Sequence, residues 1–322
     1  MACNVIRYSS GVNGNFQWGV VLDEVYPLAG SWSSTADFLA NGGKEAAFNL
    51  AANPPAAGGS SLDSLSVLSP VTAPCQVICQ GANYRQHMID SGMNPEDKKF
   101  NMIFNKSAGC ITGPYDDVVR PAHVNLLDYE VELGLVIGAP VMEARQIRKA
   151  DLPSIIAGLV IANDVSARDV QVPEMQFFKG KSYRGFCPVG PVLCLLAPED
   201  YDYLEKLDLK LMVNGQVRQS DSSGDMVFKP ADTLSELSQI ANLNVGDLIM
   251  TGTPAGCALS IPSPLVAKIG GLLPEATKWA MFKKMQAKKP NYLKPNDVME
   301  LTVRSADGRI DLGVQRNRIV QG

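Results

Sequence analysis

Histidine is scarce in this chain, with His87 and His123 the only two among 322 residues. Two imidazoles do not make a histidine-rich zinc site. The seven cysteines, at positions 3, 75, 79, 110, 187, 194 and 257, form no pair of C-x-x-C clusters that would complete one. An odd cysteine count without a disulfide framework suits a reducing compartment, so the thiols are expected to be free and mostly in the core. Basic excess is missing as well. A net charge of −4 disfavours nucleic acid or an anionic membrane as partner and leaves a small molecule as the default. No stretch approaches the roughly 20 apolar residues of a membrane span, and Met1 to Arg7 does not open a secretory signal. A soluble, cytoplasmic protein is the expectation. With 46% hydrophobic and 19% charged residues, the balance is that of a globular chain with an ample core.

The order of elements points to a β-rich mixed fold. Residues 5 to 28 alternate in polarity around the turn signal Gly11-Val12-Asn13-Gly14-Asn15, which predicts a hairpin. Ser33, Ser34 or Thr35 can cap a short helix through Phe38 and Leu39, and a second helix is predicted at Glu45 to Leu50. The linker-like run Asn53 to Ser61 follows, so a small N-terminal domain is expected to occupy 1–72 and a larger domain 73–322. Beyond it the predicted strands are Val77 to Cys79, Leu127 to Ile137, Leu159 to Ala162, Val192 to Leu196, Leu207 to Val213, Leu248 to Met250 and Val298 to Val303. Asn214-Gly215 sits between alternating runs and predicts a type I′ hairpin turn. Helices are expected at Pro153 to Ala157 and Thr233 to Ile240, with no βαβ alternation and no repeats. The segment 261–289 stands apart as an insertion or arm. Its helix, from about Pro274, carries Trp279 and Phe282 among five lysines and reads as a solvated amphipathic helix more readily than as a cap or dimer arm.

Chemistry concentrates at Asp128-Tyr129-Glu130-Val131-Glu132-Leu133. On a strand, alternation puts Asp128, Glu130 and Glu132 on one face, with the two glutamates about 7 Å apart. Carboxylates on a largely buried sheet need water or a bound cation to compensate them. A third oxygen ligand is available from Asp164, where the apolar run Gly158 to Asn163 gives way to a polar turn. An all-carboxylate set suits magnesium, manganese or calcium and not zinc. His87 and Asp90 would share a helix face at i and i+3, an arrangement in which the acid orients an imidazole base. His123 has no such neighbour and reads as structural. Lys181 follows a glycine that permits close backbone approach, so it could reach an oxyanion. The turn Thr251 to Gly256 could hold a carboxylate, but it lacks the lysine and spacing of a Walker loop and the following helix of a Rossmann loop.

In this order the motifs resemble the fumarylacetoacetate hydrolase superfamily over about residues 75 to 320. The matching pieces are Gly81 to His87, Phe104-Asn105-Lys106, Leu127 to Leu133, Asn163 to Asp169, Gly180-Lys181-Ser182, Gly190-Pro191, Gly246-Asp247 and Thr251 to Pro254. The resemblance implies an α+β, β-rich fold, a mixed β-sandwich roll with a small N-terminal α/β domain, in a homodimer. It implies Mg2+ or Mn2+ on Glu130, Glu132 and Asp164, with Asp128 outside the ligand set. It places Lys181 on the substrate's oxo group, Gln171 and Thr253 on its carboxylate, and Arg168 as an ordering residue. His87 and Asp90 fall where the family carries a closing histidine–acid pair. Three features depart from the pattern: Tyr183-Arg184-Gly185 precedes Phe186, Asp90 stands where glutamate is usual, and 261–289 is extended. The expected activity is metal-dependent hydrolysis of a C–C bond in a 2,4-dioxo acid, an acylpyruvate or fumarylacetoacetate-like compound, by water that His87 deprotonates. An oxaloacetate-type decarboxylase, a 2-hydroxy-diene-dioate isomerase and a non-catalytic oxo-acid-binding relative are the alternatives.

Overall fold

Two runs with little alternation of polarity, Val131–Ile137 and Ile156–Asn163, form the centre of the molecule. Strands of this kind must be covered on both faces, and every residue of both is buried. They pair antiparallel, from Val131 opposite Asn163 to Ile137 opposite Ile156. The computed structural model describes residues 1–9, 16–97, 100–260 and 273–322. The expected turn at Gly11 to Asn15 and the first part of the expected arm, 261–272, lie outside them.

Around this pair a ten-stranded sheet orders Val25–Pro27, Phe16–Val21, Cys3–Ser9, Leu193–Leu195, Ile156–Asn163, Val131–Ile137, Leu248–Met250, Val77–Gly81 and Met102–Lys106, with Ser66–Leu68 beside Cys3–Ser9. It is mixed, because Leu248–Met250 runs parallel to Val77–Gly81. A five-stranded sheet, Gln216–Ser222, Leu207–Val213, Val298–Ser305, Asp311–Gln321 and Val118–Arg120, packs across the central strands. Its strands alternate buried and open positions, as a sheet with one dry face should: Leu207, Leu209, Leu211 and Val213 are buried while Asp208 and Lys210 are exposed. The predicted turn at Asn214-Gly215 has φ of 52° and 76°, positive at both positions as a type I′ turn requires.

The N-terminal segment is stitched into the same sheet. Cys3, Asn4 and Val5 pair antiparallel with Leu195, Cys194 and Leu193, so hydrogen bonding runs across the boundary expected at residue 72. Helices Thr35–Ala40, capped by Ser34, and Gly43–Ala52 cover this end, where Phe38 stacks on Trp18 at 4.3 Å and meets Trp32 edge-on at 5.2 Å. All seven cysteines are free, as expected. Among the described residues no helix is long and apolar enough to cross a membrane. Helix Glu275–Gln286 is largely solvated but is not the amphipathic helix expected: it buries only Phe282 and Gln286 and leaves Met281 and Met285 exposed beside Lys283 and Lys284.

Two expected elements differ. The helix expected at Pro153 to Ala157 is a 3-10 turn at Lys149–Ser154 that gives way to the strand at Ile156. Gly158 explains why the strand prevails: a Cβ there would lie 2.3 Å from the Cys194 carbonyl oxygen, so only glycine lets these two backbones meet. The strand expected over Leu127 to Ile137 is interrupted, with Leu127–Asp128 pairing to Ser166–Ala167 and regular pairing resuming at Val131. The interruption falls at Tyr129 and Glu130.

Because the obstacle at Gly158 is backbone, Gly158→Ala is expected to lower stability by about 1–3 kcal/mol, read as a lower urea midpoint. An unchanged midpoint would mean that the strand contact opens freely.

Candidate metal centre and cavity

The break in the central strand decides where the carboxylates point. At Glu130 the neighbouring strand no longer supplies a regular ladder: the Glu130 N–H donates to the Asn163 side chain at 3.1 Å, and the Glu130 carbonyl accepts from the Asp164 N–H at 2.9 Å. Glu132, one turn of the pleat further on, lies on the intact strand. Carboxylate oxygens of Glu130, Glu132 and Asp164 thereby converge to within 4.8 Å of one another, all three residues buried. Asp128 is not among them. Its carboxylate accepts from Arg168 Nε at 2.8 Å and from the backbone N–H groups of Tyr129, Ala258 and Leu259 at 2.9, 2.8 and 3.0 Å. Asp128 shares the Arg168 guanidinium with Glu130 but stands outside the oxygen triad, as the family resemblance implies.

Three cations answer these acids. Lys181 Nζ lies 2.9 Å from Glu130 and 2.5 Å from Asp164. Lys106 Nζ lies 2.6 Å from Asp164 and also donates to the carbonyls of Phe186 and Val165 at 2.9 and 3.4 Å, which uses all three of its protons. Arg168 bridges Asp128 and Glu130 and donates to Gln171 at 2.8 Å. Burial pushes the Glu130 carboxyl up, but Lys181 and Arg168 outweigh it and hold it at about 2. Burial also pulls both lysines down, and their carboxylate partners hold them above the usual range.

Among the described residues Glu132 has no cation of its own. Its carboxylate accepts the Gly252 N–H at 2.7 Å, and burial, with Asp164 and Glu130 beside it, drives its pKa well above the carboxylate range. Four buried carboxyls thus face three cations, and the unmatched one belongs to the oxygen triad. That donor set and that charge fit a hard divalent ion, magnesium, manganese or calcium.

A cavity of about 380 Å³ opens beside the triad, lined by Glu130, Arg168, Lys181, Gln171, Thr253, His87 and Asp90, with Phe104, Phe177, Met93 and Met102 on its apolar wall. Every residue expected at the site therefore borders the cavity or belongs to the triad, yet several are engaged otherwise than expected. Lys181 is paired with two of the triad carboxylates. The Thr253 hydroxyl donates to the Val131 carbonyl at 2.9 Å and accepts from Gln219 at 2.8 Å. His87 and Asp90 both lie on helix Arg85–Asp90, but Asp90 accepts from Gln86 at 2.8 Å, and no hydrogen bond joins it to His87 among the described residues. An i,i+4 neighbour captures the acid before the i,i+3 imidazole does. Burial holds the His87 imidazole below its usual range, so it is neutral at pH 7. His123 is exposed, with Nε2 2.8 Å from the Tyr183 hydroxyl.

Lys106 and Phe104, in the motif Phe104-Asn105-Lys106, both serve the site. Phe104 sits 5.1 Å below Lys181 Nζ and is itself met edge-on by Phe177 at 4.9 Å, so the Lys181 ammonium rests over an aromatic face. The available signal was a lysine closing a short apolar strand, Met102–Lys106, where a solvated face would carry more charge. Gly180 does permit close approach: a Cβ there would meet the Gln171 Cβ at 2.7 Å and its backbone N at 2.8 Å. Helix Phe177–Lys181 is thereby pressed onto helix Arg168–Glu174, which sets Lys181 beside the triad.

The family model described as fumarylacetoacetate (FAA) hydrolase C-terminal matches residues 76–320. A mitochondrial oxaloacetate tautomerase of Rattus norvegicus is 36% identical over 207 residues, 64% of this chain and 64% of that protein, so the chain spans less than two thirds of that relative's length. A structure described as a probable 2-hydroxyhepta-2,4-diene-1,7-dioate isomerase from Mycobacterium abscessus is 30% identical, with a TM-score of 0.69 over 100% of this chain and 99% of that one. A maleylpyruvate hydrolase from Sphingobium, in complex with manganese(II) and pyruvate, shares the fold at 22% identity, with a TM-score of 0.70 over 99% of each chain.

Because the raised pKa leaves Glu132 protonated in the ion-free protein, a divalent ion must displace that proton. Calorimetry of Mn2+ binding in buffers of differing ionisation enthalpy is expected to report proton release near pH 7 and an affinity that rises with pH. Glu132→Gln should abolish binding without destabilising the ion-free protein; retained binding would remove Glu132 from the donor set.

Proposed function

The chain belongs to the fumarylacetoacetate hydrolase family, and from that premise we propose that it is a divalent-metal-dependent enzyme interconverting keto and enol forms of a small 2-oxo acid of the oxaloacetate class. The observation that carries this reading is the pairing of groups across the cavity. His87 is a neutral imidazole with no acid to orient it for water activation, and Lys181 and Arg168 stand charged at the triad end. Keto–enol exchange needs one proton acceptor and one proton donor near the oxo group, and no attacking water. The oxaloacetate tautomerases and the isomerase among the relatives support the same class.

Held by Glu130, Glu132 and Asp164, a divalent ion would supply Lewis-acid polarisation of the substrate's 2-oxo group. His87 takes the proton from C3, as only the neutral imidazole can. Lys181, kept charged by Asp164 and Glu130, stabilises the negative charge that develops on the oxygen; that oxygen takes its proton from solvent, His87 gives its own back to solvent, and Lys181 keeps its proton. Arg168 keeps Glu130 ionised and Gln171 oriented. The apolar wall of Phe104, Phe177, Met93 and Met102 limits water around the enolate. Hydrolysis of a 2,4-dioxo acid is the second reading, favoured by the same imidazole, which would then deprotonate water; decarboxylation of oxaloacetate would proceed through the same enolate.

Product identity separates the three. With Mn2+ or Mg2+, the ultraviolet decay of enol-oxaloacetate is expected to accelerate, and EDTA should return it to the uncatalysed rate. His87→Ala should lower kcat by about 10²–10⁴-fold. In the wild type, kcat/KM should rise with pH along an acid limb whose midpoint lies below about 6.5, the ordinary imidazole value. Cleavage of an acylpyruvate with no effect on enol decay would replace this reading with the hydrolytic one.

A further inference from the structure

Val131 sits between the two glutamates of the triad, opposite Asn163 on one side and beyond the end of the pairing with Leu248–Met250 on the other. Both of its outward polar groups are met by side chains. Its N–H donates to Gln219 Oε1 at 2.9 Å, and its carbonyl accepts from the Thr253 hydroxyl at 2.9 Å. The two side chains are joined, since Gln219 Nε2 donates to Thr253 Oγ1 at 2.8 Å and to the Pro254 carbonyl at 2.9 Å. Gln219 is 1% exposed. It reaches the site from Gln216–Ser222, a strand of the other sheet, so one amide spans the two layers of the molecule.

The geometry points to Gln219 as a positioning residue for the metal centre. Its amide clamps Val131 from the N–H side and, through Thr253, from the carbonyl side. The backbone that carries Glu130 and Glu132 is thereby held at the spacing a divalent ion requires. Partners that orient ligands in this indirect way govern affinity for the ion. Removing the amide takes this acceptor from the Val131 N–H and frees this backbone to move. The inference rests on the metal reading of the triad.

Mn2+ titration of the full-length protein by calorimetry tests it, with circular dichroism and thermal unfolding of the ion-free proteins as the reference for folding. Gln219→Met keeps the volume and removes the hydrogen bonds to Val131, Thr253 and Pro254. It is expected to raise the Mn2+ dissociation constant by about 10–100-fold, while KM for the oxo acid at saturating Mn2+ stays within twofold of wild type. If Gln219→Met does not fold, Gln219→Glu, which keeps the acceptor for the Val131 N–H and loses the donor to Thr253, is expected to show the loosened ion. A folded variant that binds Mn2+ like wild type overturns the positioning role. A wild-type protein that binds no Mn2+ overturns the metal reading itself, so the two failures are distinguishable.

Discussion

Three carboxyl groups held out of water within 4.8 Å of one another, with a fourth, Asp128, tied to them through Arg168, are answered by much of the local structure. Isolated ionised acids in such surroundings are not tolerated. Two lysines and an arginine converge on them from three different elements, and each is placed by an unusual local device. Lys106 closes a short edge strand, Lys181 follows a glycine that only a tight helix contact explains, and Arg168 opens the helix after the Asp164 turn. Without an ion the compensation stops one charge short, and the remainder falls on Glu132. The cavity chemistry begins from that imbalance.

The amino-acid order made the periphery of this arrangement readable and concealed its centre. Continuous apolar runs, the Asn-Gly turn and the acid at the end of a strand are local patterns, and a local pattern needs only its own neighbours to be interpreted. The interruption at Tyr129 and Glu130 is not local. The Asn163 side chain meets Glu130 within it, and Gln219 and Thr253, also distant in sequence, hold Val131 where it ends, so parity counted along the run does not say which of its acids converge. The pairing of Asp90 with Gln86 was hidden differently: two neighbours competed for one carboxylate, and spacing alone does not say which wins.

Family membership and the cavity carry different kinds of information. The matched region, 76–320, contains the triad, the three cations, His87 and the strand that bears Gln219. Asp128 illustrates how far the supporting structure reaches. It fixes Arg168 and also accepts from the N–H groups of Ala258 and Leu259, so the acid that binds no ion ties the cavity's arginine to the loop forming another of its walls.

The pairing of Cys3 to Val5 with Leu193 to Leu195 has a temporal side. During synthesis Cys3–Ser9 has a hairpin partner in Phe16–Val21 and, along Arg7 to Ser9 on its other edge, Ser66–Leu68, but the Cys3 to Val5 part of that edge stays open until Leu195 has emerged. Contacts between such distant parts of a chain form slowly. The short rim at Cys3 to Val5 can therefore close only after the central strands Val131–Ile137 and Ile156–Asn163, which carry Glu132 and lead into Asp164, have been made.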